Sequence, residues 1–151
     1  MQGREPKKDN DLFYLCSLIE YIGRKTKNHN RVVVNALGEE RLKKIFSLAD
    51  VYHSDNIARV AHDFIEECNI PQGRFDITDV KYSVPSYWDI GKVYKRLIIK
   101  VAQGSVRKYI PSLIVVYNSW IADHIDDYNT SFYYDSSECH YQSYLYGDDV
   151  G

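Results

Sequence analysis

The chain has 151 residues, 19 of them Lys or Arg and 21 Asp or Glu, with a formal net charge of −2. This length suits a single domain that buries most of its unfolded surface and needs neither metal nor disulfides to fold. The polar first residues are followed by no apolar run, and no stretch approaches 18 apolar residues. The sequence therefore predicts a cytoplasmic protein without a signal peptide or a membrane span.

The three cysteines also favour a reducing compartment. Cys16, Cys68 and Cys139 are odd in number and form no CxxC pair. Cys16 and Cys68 fall on the apolar faces of predicted helices. Such positions are typical of free thiols in a core.

Apolar residues recur at spacings of three and four over most of the first 69 residues, which predicts amphipathic helices. Asn10 is the expected N-cap of the first helix. Ser54, followed by Asp55 in the first turn, is the expected N-cap of the helix that ends before Asn69. The predicted helices of this half are 11–25, 31–37, 39–52 and 55–68.

The second half begins with a looser connector and then returns to helical periodicity. Ser86, with Asp89 three residues later, imitates a capping box and opens one helix. Pro111 lies in the first turn of another, where proline is tolerated. The predicted elements are the connector 74–84 and helices over 87–102, 110–128 and 137–146.

Together these elements predict a mostly α fold with a compact N-terminal helical bundle, a long helical hairpin and a Tyr-rich acidic C-terminal segment. We expect these parts to form one globular unit. The predicted boundaries are a flexible N-terminus over 1–9, the bundle over 10–69, a connector over 70–84, and the hairpin with its acidic aromatic tail over 85–151.

Charge and tyrosine are distributed unevenly along the chain. Residues 111–151 contain no Lys or Arg, seven of the 21 acidic residues and seven of the 14 tyrosines. Tyrosine is enriched where proteins bind proteins, and acidic groups steer a basic partner. The sequence therefore predicts that this segment covers a basic site on a partner protein. The predicted partner-binding residues are Asp123, Asp126, Asp127, Tyr128, Phe132, Tyr133, Tyr134 and Asp135.

A structural interpretation of the same segment stays open. Tyrosines at helical spacing, such as Tyr117 with Trp120, are commonly core residues, and the acidic groups can pair with cations of the same chain. The candidate intramolecular partners are Lys92, Lys95, Arg96, Arg107 and Lys108.

An enzyme is the second hypothesis. Arg24 and His29, at the end of the first predicted helix, resemble in spacing the motif of small all-helical ribonucleases of the HEPN type. In that family the arginine binds the scissile phosphate and the histidine assists proton transfer. Lys25 stands here where that family has Asn, Asp or His. The same cations also suit a helix C-terminus without any catalytic role.

A DNA-binding regulator is the third hypothesis. The helices that flank Gly38 would form a helix-turn-helix, with Arg31 or Arg41 contacting DNA. The net negative charge and the short basic runs make nucleic acid the less favoured partner.

No sequence pattern predicts a metal or a cofactor. His62 and Glu66 lie one helical turn apart, and His124 lies beside Asp123, but zinc needs three or four converging ligands. The sequence contains no HExxH, GxSxG, Walker loop or GxGxxG. No reaction class is therefore predicted, and a binding protein is favoured over an enzyme.

Three segments carry a family resemblance: 13–21 (FYLCSLIEY), 50–54 (DVYHS) and 63–65 (DFI). Over about residues 11–67 the chain resembles a family of short uncharacterised bacterial helical proteins. The resemblance implies an accessory of neighbouring ADP-ribosyltransferase-like, toxin-type proteins. Together with the acidic tail, it predicts a bacterial or phage-derived antitoxin or immunity-like factor that binds a toxin encoded nearby.

Overall fold

The computed structural model describes residues 4–147, with side chains from Lys7 onward. Within that part of the chain there are eight α-helices and no strand, so the mostly α prediction is confirmed. None of these helices combines the length and the apolar character that crossing a bilayer requires. The helices are α1 (Arg4–Thr26), α2 (Asn30–Ser47), α3 (Ala49–His53), α4 (Ile57–Cys68), α5 (Tyr87–Val101), α6 (Tyr109–Tyr117), α7 (Trp120–Ile125) and α8 (Ser137–Tyr146), with short 3-10 turns at Val106–Lys108 and Phe132–Tyr134.

Helix α1 lies at the centre of the fold. It packs against α2, α3, α4 and most extensively α5, while α6 covers α2 and α8 covers α5. Its apolar stripe is fully buried because residues three and four apart share one face of a helix. The buried side chains of that stripe are Leu12, Leu15, Cys16, Leu18, Ile19 and Ile22.

The N-termini of two helices differ from the sequence prediction. Asn10 lies inside α1, which includes residues 4–9 of the segment expected to be flexible; residues 1–3 lie outside the described residues. Ser54 ends α3 instead of opening α4, because its backbone is helical and its hydroxyl donates to the Val51 carbonyl at 2.7 Å. The N-cap of α4 is Asn56, whose side-chain oxygen accepts from the Ala58 N–H at 2.8 Å. The prediction of Ser54 as N-cap is wrong.

The predicted helix over 110–128 is two helices, α6 and α7, with a break at Asn118 and Ser119. Both side chains donate to carbonyls of the preceding turn: Asn118 Nδ2 to Ile114 at 2.9 Å, and Ser119 Oγ to Val116 at 2.7 Å. Such side-chain bonds compete with the continuation of a helix. The N-cap at Ser86 and the helix over 137–146 are confirmed.

One hydrophobic core joins the two halves of the chain. Buried residues of α1, α2 and α4 belong to the same cluster as those of α5, α6 and α7. Segment 71–75 of the connector lies against the end of α1: the Gly73 N–H donates to the Thr26 carbonyl at 2.7 Å, and the Phe75 N–H donates to the Lys27 carbonyl at 2.9 Å.

Candidate functional site

A buried polar network crosses the core near the C-terminal end of α1. Glu20 is its centre: its carboxylate accepts from Arg24 Nε at 2.8 Å, from Asn30 Nδ2 at 2.7 Å and from the Tyr128 hydroxyl at 3.1 Å. The Arg24 guanidinium also lies 5.8 Å from the centroid of the Tyr128 ring. Glu20 falls on the core side of α1 and is 3% exposed, so these partners stabilise a carboxylate that water barely reaches.

A second carboxyl group, Asp126, joins this network from the end of α7. It accepts from the Tyr94 hydroxyl at 2.8 Å and from Asn30 Nδ2 at 3.4 Å, and it is 6% exposed. Burial, together with the negative charge of Glu20, raises the pKa of Asp126 well above its usual range. Asp126 therefore keeps its proton to a higher pH than an exposed aspartate.

Beyond Asp126 lies a cavity of about 280 Å³ where five aspartates from two distant segments converge. Asp76 and Asp79 come from the connector, and the other three come from α7 and the residues after it. No Lys or Arg of the part of the chain that the structure describes lines this cavity. Its lining residues are His29, Phe75, Asp76, Ile77, Asp79, Val80, Asp123, Asp126, Asp127, Tyr128 and Asn129.

The connector wall of the acidic cavity is held by contacts with the turn after α1. Asn28 Nδ2 donates to the Pro71 carbonyl at 2.6 Å, and Phe75 stacks on His29 with ring centroids 3.8 Å apart. Asp76 accepts from the Thr78 N–H and hydroxyl, and these bonds lower the pKa of Asp76. Asp76 is therefore a charged, oriented carboxylate at the cavity.

The cavity is negative, although protonation of Asp126 and the pairing of Asp123 reduce the charge of two of its five aspartates. Asp123 forms an ion pair with Arg31 of α2, whereas no cation of the described residues lies within ion-pair distance of Asp79 or Asp127. Within residues 4–147, no group of three His, Cys, Asp or Glu side chains is arranged to hold a metal ion. An ammonium or guanidinium group on a flexible side chain fits this charge and size.

Two further depressions continue the acidic cavity along the surface. The second depression, of about 450 Å³, shares Tyr128 and Asn129 with the acidic cavity. The third depression, of about 460 Å³, shares Tyr133 with the second depression. We call the three together the acidic-aromatic face. The second depression is lined by Tyr82, Tyr128, Asn129, Thr130, Ser131 and Tyr133, and the third by Ser83, Val84, Pro85, Asp89, Lys92, Val93, Arg96, Tyr133, Tyr134 and Asp135.

Two tyrosines on this face point largely into solvent. Tyr82 is 65% exposed and Tyr134 is 84% exposed. Large aromatic side chains beside a cavity are common at protein interfaces, because each offers a wide contact area and has few torsions to immobilise.

The predicted partner-binding residues are only partly surface residues. Asp126 and Tyr128 are buried, which corrects the expectation that they are surface residues: both line the acidic cavity but bond to the network and expose little area. Asp123 is exposed but paired with Arg31. Phe132 and Tyr133 are half-buried, and Asp127, Tyr134 and Asp135 are exposed.

The structural interpretation, in which tail tyrosines pack in the core and tail acids pair within the chain, holds for part of the tail. Of the seven tyrosines after residue 110, Tyr117 and Tyr128 are buried, and Tyr134 and Tyr146 are exposed. Among the described residues, the basic residues of α5 contribute one ion pair to the tail, between Lys100 and Glu138 at 3.2 Å. The candidate pairs with Lys92, Lys95, Arg96, Arg107 and Lys108 do not form there.

Arg24 and His29, the two residues of the ribonuclease hypothesis, lie in different surroundings. Arg24 is held by Glu20 and Tyr128 in the buried network, so its guanidinium is not free to bind a phosphate. His29 stacks on Phe75 at the acidic cavity, where carboxylates disfavour an RNA backbone.

The arginines of the helix-turn-helix hypothesis are both paired with acids. Arg31 binds Asp123, and Arg41 binds Glu67 at 2.9 Å. Gly38 has φ 80 and ψ 162, which kinks α2 between its two helical segments. No contact among residues 4–147 favours a role in DNA binding.

Several site residues were not predicted from the sequence. Glu20 had a signal: it lies four residues after Cys16, on the buried side of an amphipathic helix, where a carboxylate needs partners. Asp76, Asp79 and Tyr82 had none, because a connector has no periodicity that relates its side chains to α7.

No protein-family model, curated protein or solved structure matches this chain.

Proposed function

We propose that this protein is a protein-binding module whose acidic-aromatic face docks a basic segment of a partner protein. The observation that carries the proposal is the convergence of Asp76, Asp79, Asp123 and Asp127 around one cavity that continues into depressions beside exposed tyrosines. The proposed binding site therefore includes residues of the connector as well as residues of the C-terminal segment.

A Lys or Arg side chain of the partner enters the acidic cavity. Its cation meets Asp79 and Asp127, which have no ion-pair partner among the described residues, while the flat part of a guanidinium can lie against the stacked His29 and Phe75 rings. Tyr82 and Tyr134 contact the partner beside that residue. Because the exposed carboxylates attract the partner over a distance, association should weaken as salt increases.

The kind of partner follows from the resemblance over residues 11–67 and the charge of the face. Both support an antitoxin or immunity-like factor of bacterial or phage origin that covers a basic site of a toxin in the cytoplasm.

The test begins with the tagged full chain in cells of the source organism. Proteins that co-purify are identified by mass spectrometry, and the leading one is purified and titrated with the wild type and variants by calorimetry. Deleting the tail is not a clean test, because Tyr128 and His140 are buried in the fold. Point substitutions are used: Asp79→Asn with Asp127→Asn, and Tyr134→Ala. Asp63→Asn with Glu66→Gln on α4 and Tyr146→Ala on α8 are the matched controls, since all three residues are exposed.

We expect the double substitution in the cavity and Tyr134→Ala each to weaken binding by about tenfold or more, with the control variants unchanged. Raising the salt concentration should weaken the wild type more than the cavity variant. Failure to recover any stoichiometric partner, or an equal loss of affinity in the control variants, would refute the proposal.

A further inference from the structure

A separate cavity of about 530 Å³ lies between α1, α3 and the start of α5, and it shares no lining residue with the acidic-aromatic face. Its volume is within the range of small-molecule sites, roughly 300–1,000 Å³. Its lining residues are Lys7, Asn10, Asp11, Phe13, Tyr14, Ala49, Asp50, His53 and Trp88.

Aromatic rings form much of the wall of this cavity. Phe13 and Trp88 lie with ring centroids 5.5 Å apart, and Tyr14 meets His53 edge to face at 5.5 Å. Phe13 already attracts one cation, because Lys95 Nζ lies 5.9 Å from its ring centroid. Aromatic faces attract cations through their electron density, most strongly in Trp.

An ammonium group of the chain itself occupies the acidic end of the cavity. Lys7 Nζ lies 3.0 Å from Asp11 Oδ2 and 3.1 Å from Asp50 Oδ2. The Lys7 side chain is 49% exposed and that of Asp50 is 72% exposed, so their ion pair contributes little to stability. Asp11 is buried, and Lys8 Nζ also lies 3.8 Å from its Oδ2.

Two observations connect this cavity with binding. The Tyr14 side chain lines it and is buried, yet its hydroxyl has no hydrogen-bond partner among the described residues, which is unusual for a buried polar group. In addition, the segments 13–21 and 50–54, singled out separately in the sequence, meet here through Phe13, Tyr14, Asp50 and His53.

We propose that this cavity binds a small organic cation, an amine whose ammonium group takes the position of Lys7 between Asp11 and Asp50 and whose apolar body lies against Phe13 and Trp88. The carboxylates supply the charge, and the aromatic walls supply apolar contact and cation–π attraction. Lys7 acts as an internal competitor that holds the place of the ligand when the cavity is empty. This site is independent of the proposed partner binding.

The test titrates the full chain with 2-phenylethylammonium and follows the indole N–H signal of Trp88 by NMR, assigned with a Trp88→Phe variant. 2-Phenylethanol and phenylacetate are the neutral and anionic probes of similar shape. We expect saturable binding of the ammonium, with each of the other probes weaker by about tenfold or more, the effect of losing a charge-assisted hydrogen bond. Equal binding of the alcohol would overturn the proposal.

Two substitutions at exposed side chains sharpen the test without disturbing the core. Lys7→Met should tighten binding of 2-phenylethylammonium by about tenfold because the competing ammonium is gone, and Asp50→Asn should weaken it. Asp79→Asn, in the acidic cavity, is the control and should have no effect. If Lys7→Met leaves affinity unchanged or lowers it, the ammonium position is wrongly assigned and the proposal fails.

Discussion

The hydrogen-bond partners of Asp126 explain why an acidic residue is tolerated at its position. The sequence places it near a helix C-terminus, where the dipole disfavours a negative charge. The structure buries it beside Glu20, with Tyr94 and Asn30 donating hydrogen bonds. Arg24 contributes one positive charge to a network that holds two carboxyl groups. When Asp126 is protonated, the network buries one negative charge, on Glu20, beside the positive charge of Arg24.

The raised pKa of Asp126 predicts how stability depends on pH. The unfolded chain releases this proton near the ordinary aspartate pKa, about 4, whereas the folded chain releases it only at higher pH. The folded state therefore binds more protons in between, and the free energy of unfolding contributed by Asp126 falls as pH rises from about 4 through the raised pKa.

We expect Asp126→Asn, which cannot ionise, to remove this loss. Urea unfolding of wild type and variant between about pH 5 and about pH 8 should show the difference in stability shifting in favour of the variant as pH rises. Asp127→Asn, at an exposed neighbouring carboxylate, is the matched control and should keep the wild-type profile. Parallel profiles for Asp126→Asn and the wild type would contradict the assignment of the proton.

At the scale of elements, the contact between α1 and α5 organises the molecule. The two helices lie close together where Gly91 faces Ser17: a Cβ atom on Gly91 would lie 2.2 Å from Ser17 Oγ and 2.9 Å from both the Cα and the backbone N of Ser17. Glycine is required at this point because the backbone of Ser17, and not only its hydroxyl, occupies the space.

Gly91→Ala should therefore destabilise the protein, by about 1–3 kcal/mol or more, despite the higher helix propensity of alanine. Chemical denaturation measures the change. Ser17→Ala should rescue at most part of the loss, since it removes the contact with Oγ but leaves the Ser17 backbone 2.9 Å from the added Cβ. Lys92→Ala, at the exposed neighbour on α5, controls for helix propensity; a Gly91→Ala variant as stable as this control would show that the helices move apart freely.

At the scale of the whole molecule, the halves on either side of the connector share one core. The bundle predicted over 10–69 and the hairpin predicted from residue 85 meet through α1 and α5, and the buried residues of both belong to a single cluster. Without α5, α1 would expose the side that carries Ser17, and the cavity lined by Phe13 and Trp88 would lose part of its wall.

We therefore expect unfolding in one cooperative transition. Tryptophan fluorescence, which reports on Trp88 and Trp120, should change at the same denaturant concentration as far-UV circular dichroism, which reports on all helices. A fragment of residues 1–84 should lack a dispersed NMR spectrum because α1 has lost its main partner. Two separated transitions, or a folded fragment, would establish independent units.

Local signals predicted the elements, and competing local signals account for the errors. The Ser86 N-cap and the helix over 137–146 were confirmed because capping and periodicity depend on residues a few positions apart. Ser54 was predicted as an N-cap, and the break at Asn118 was missed, because a short polar side chain can bond either to an N–H that follows it or to a carbonyl that precedes it. The sequence did not show which bond would form.

The sequence by itself determined the helical class, most of the buried stripes, and the enrichment of acid and tyrosine at the carboxyl end, since each depends on residue type and short-range spacing. Only the tertiary structure decided where those acidic side chains lie relative to one another. Folding placed Asp126 and Tyr128 in the core and brought Asp76 and Asp79 of the connector beside Asp123 and Asp127. Such convergence is set by how distant elements pack, and no pattern along the chain records the distance between them.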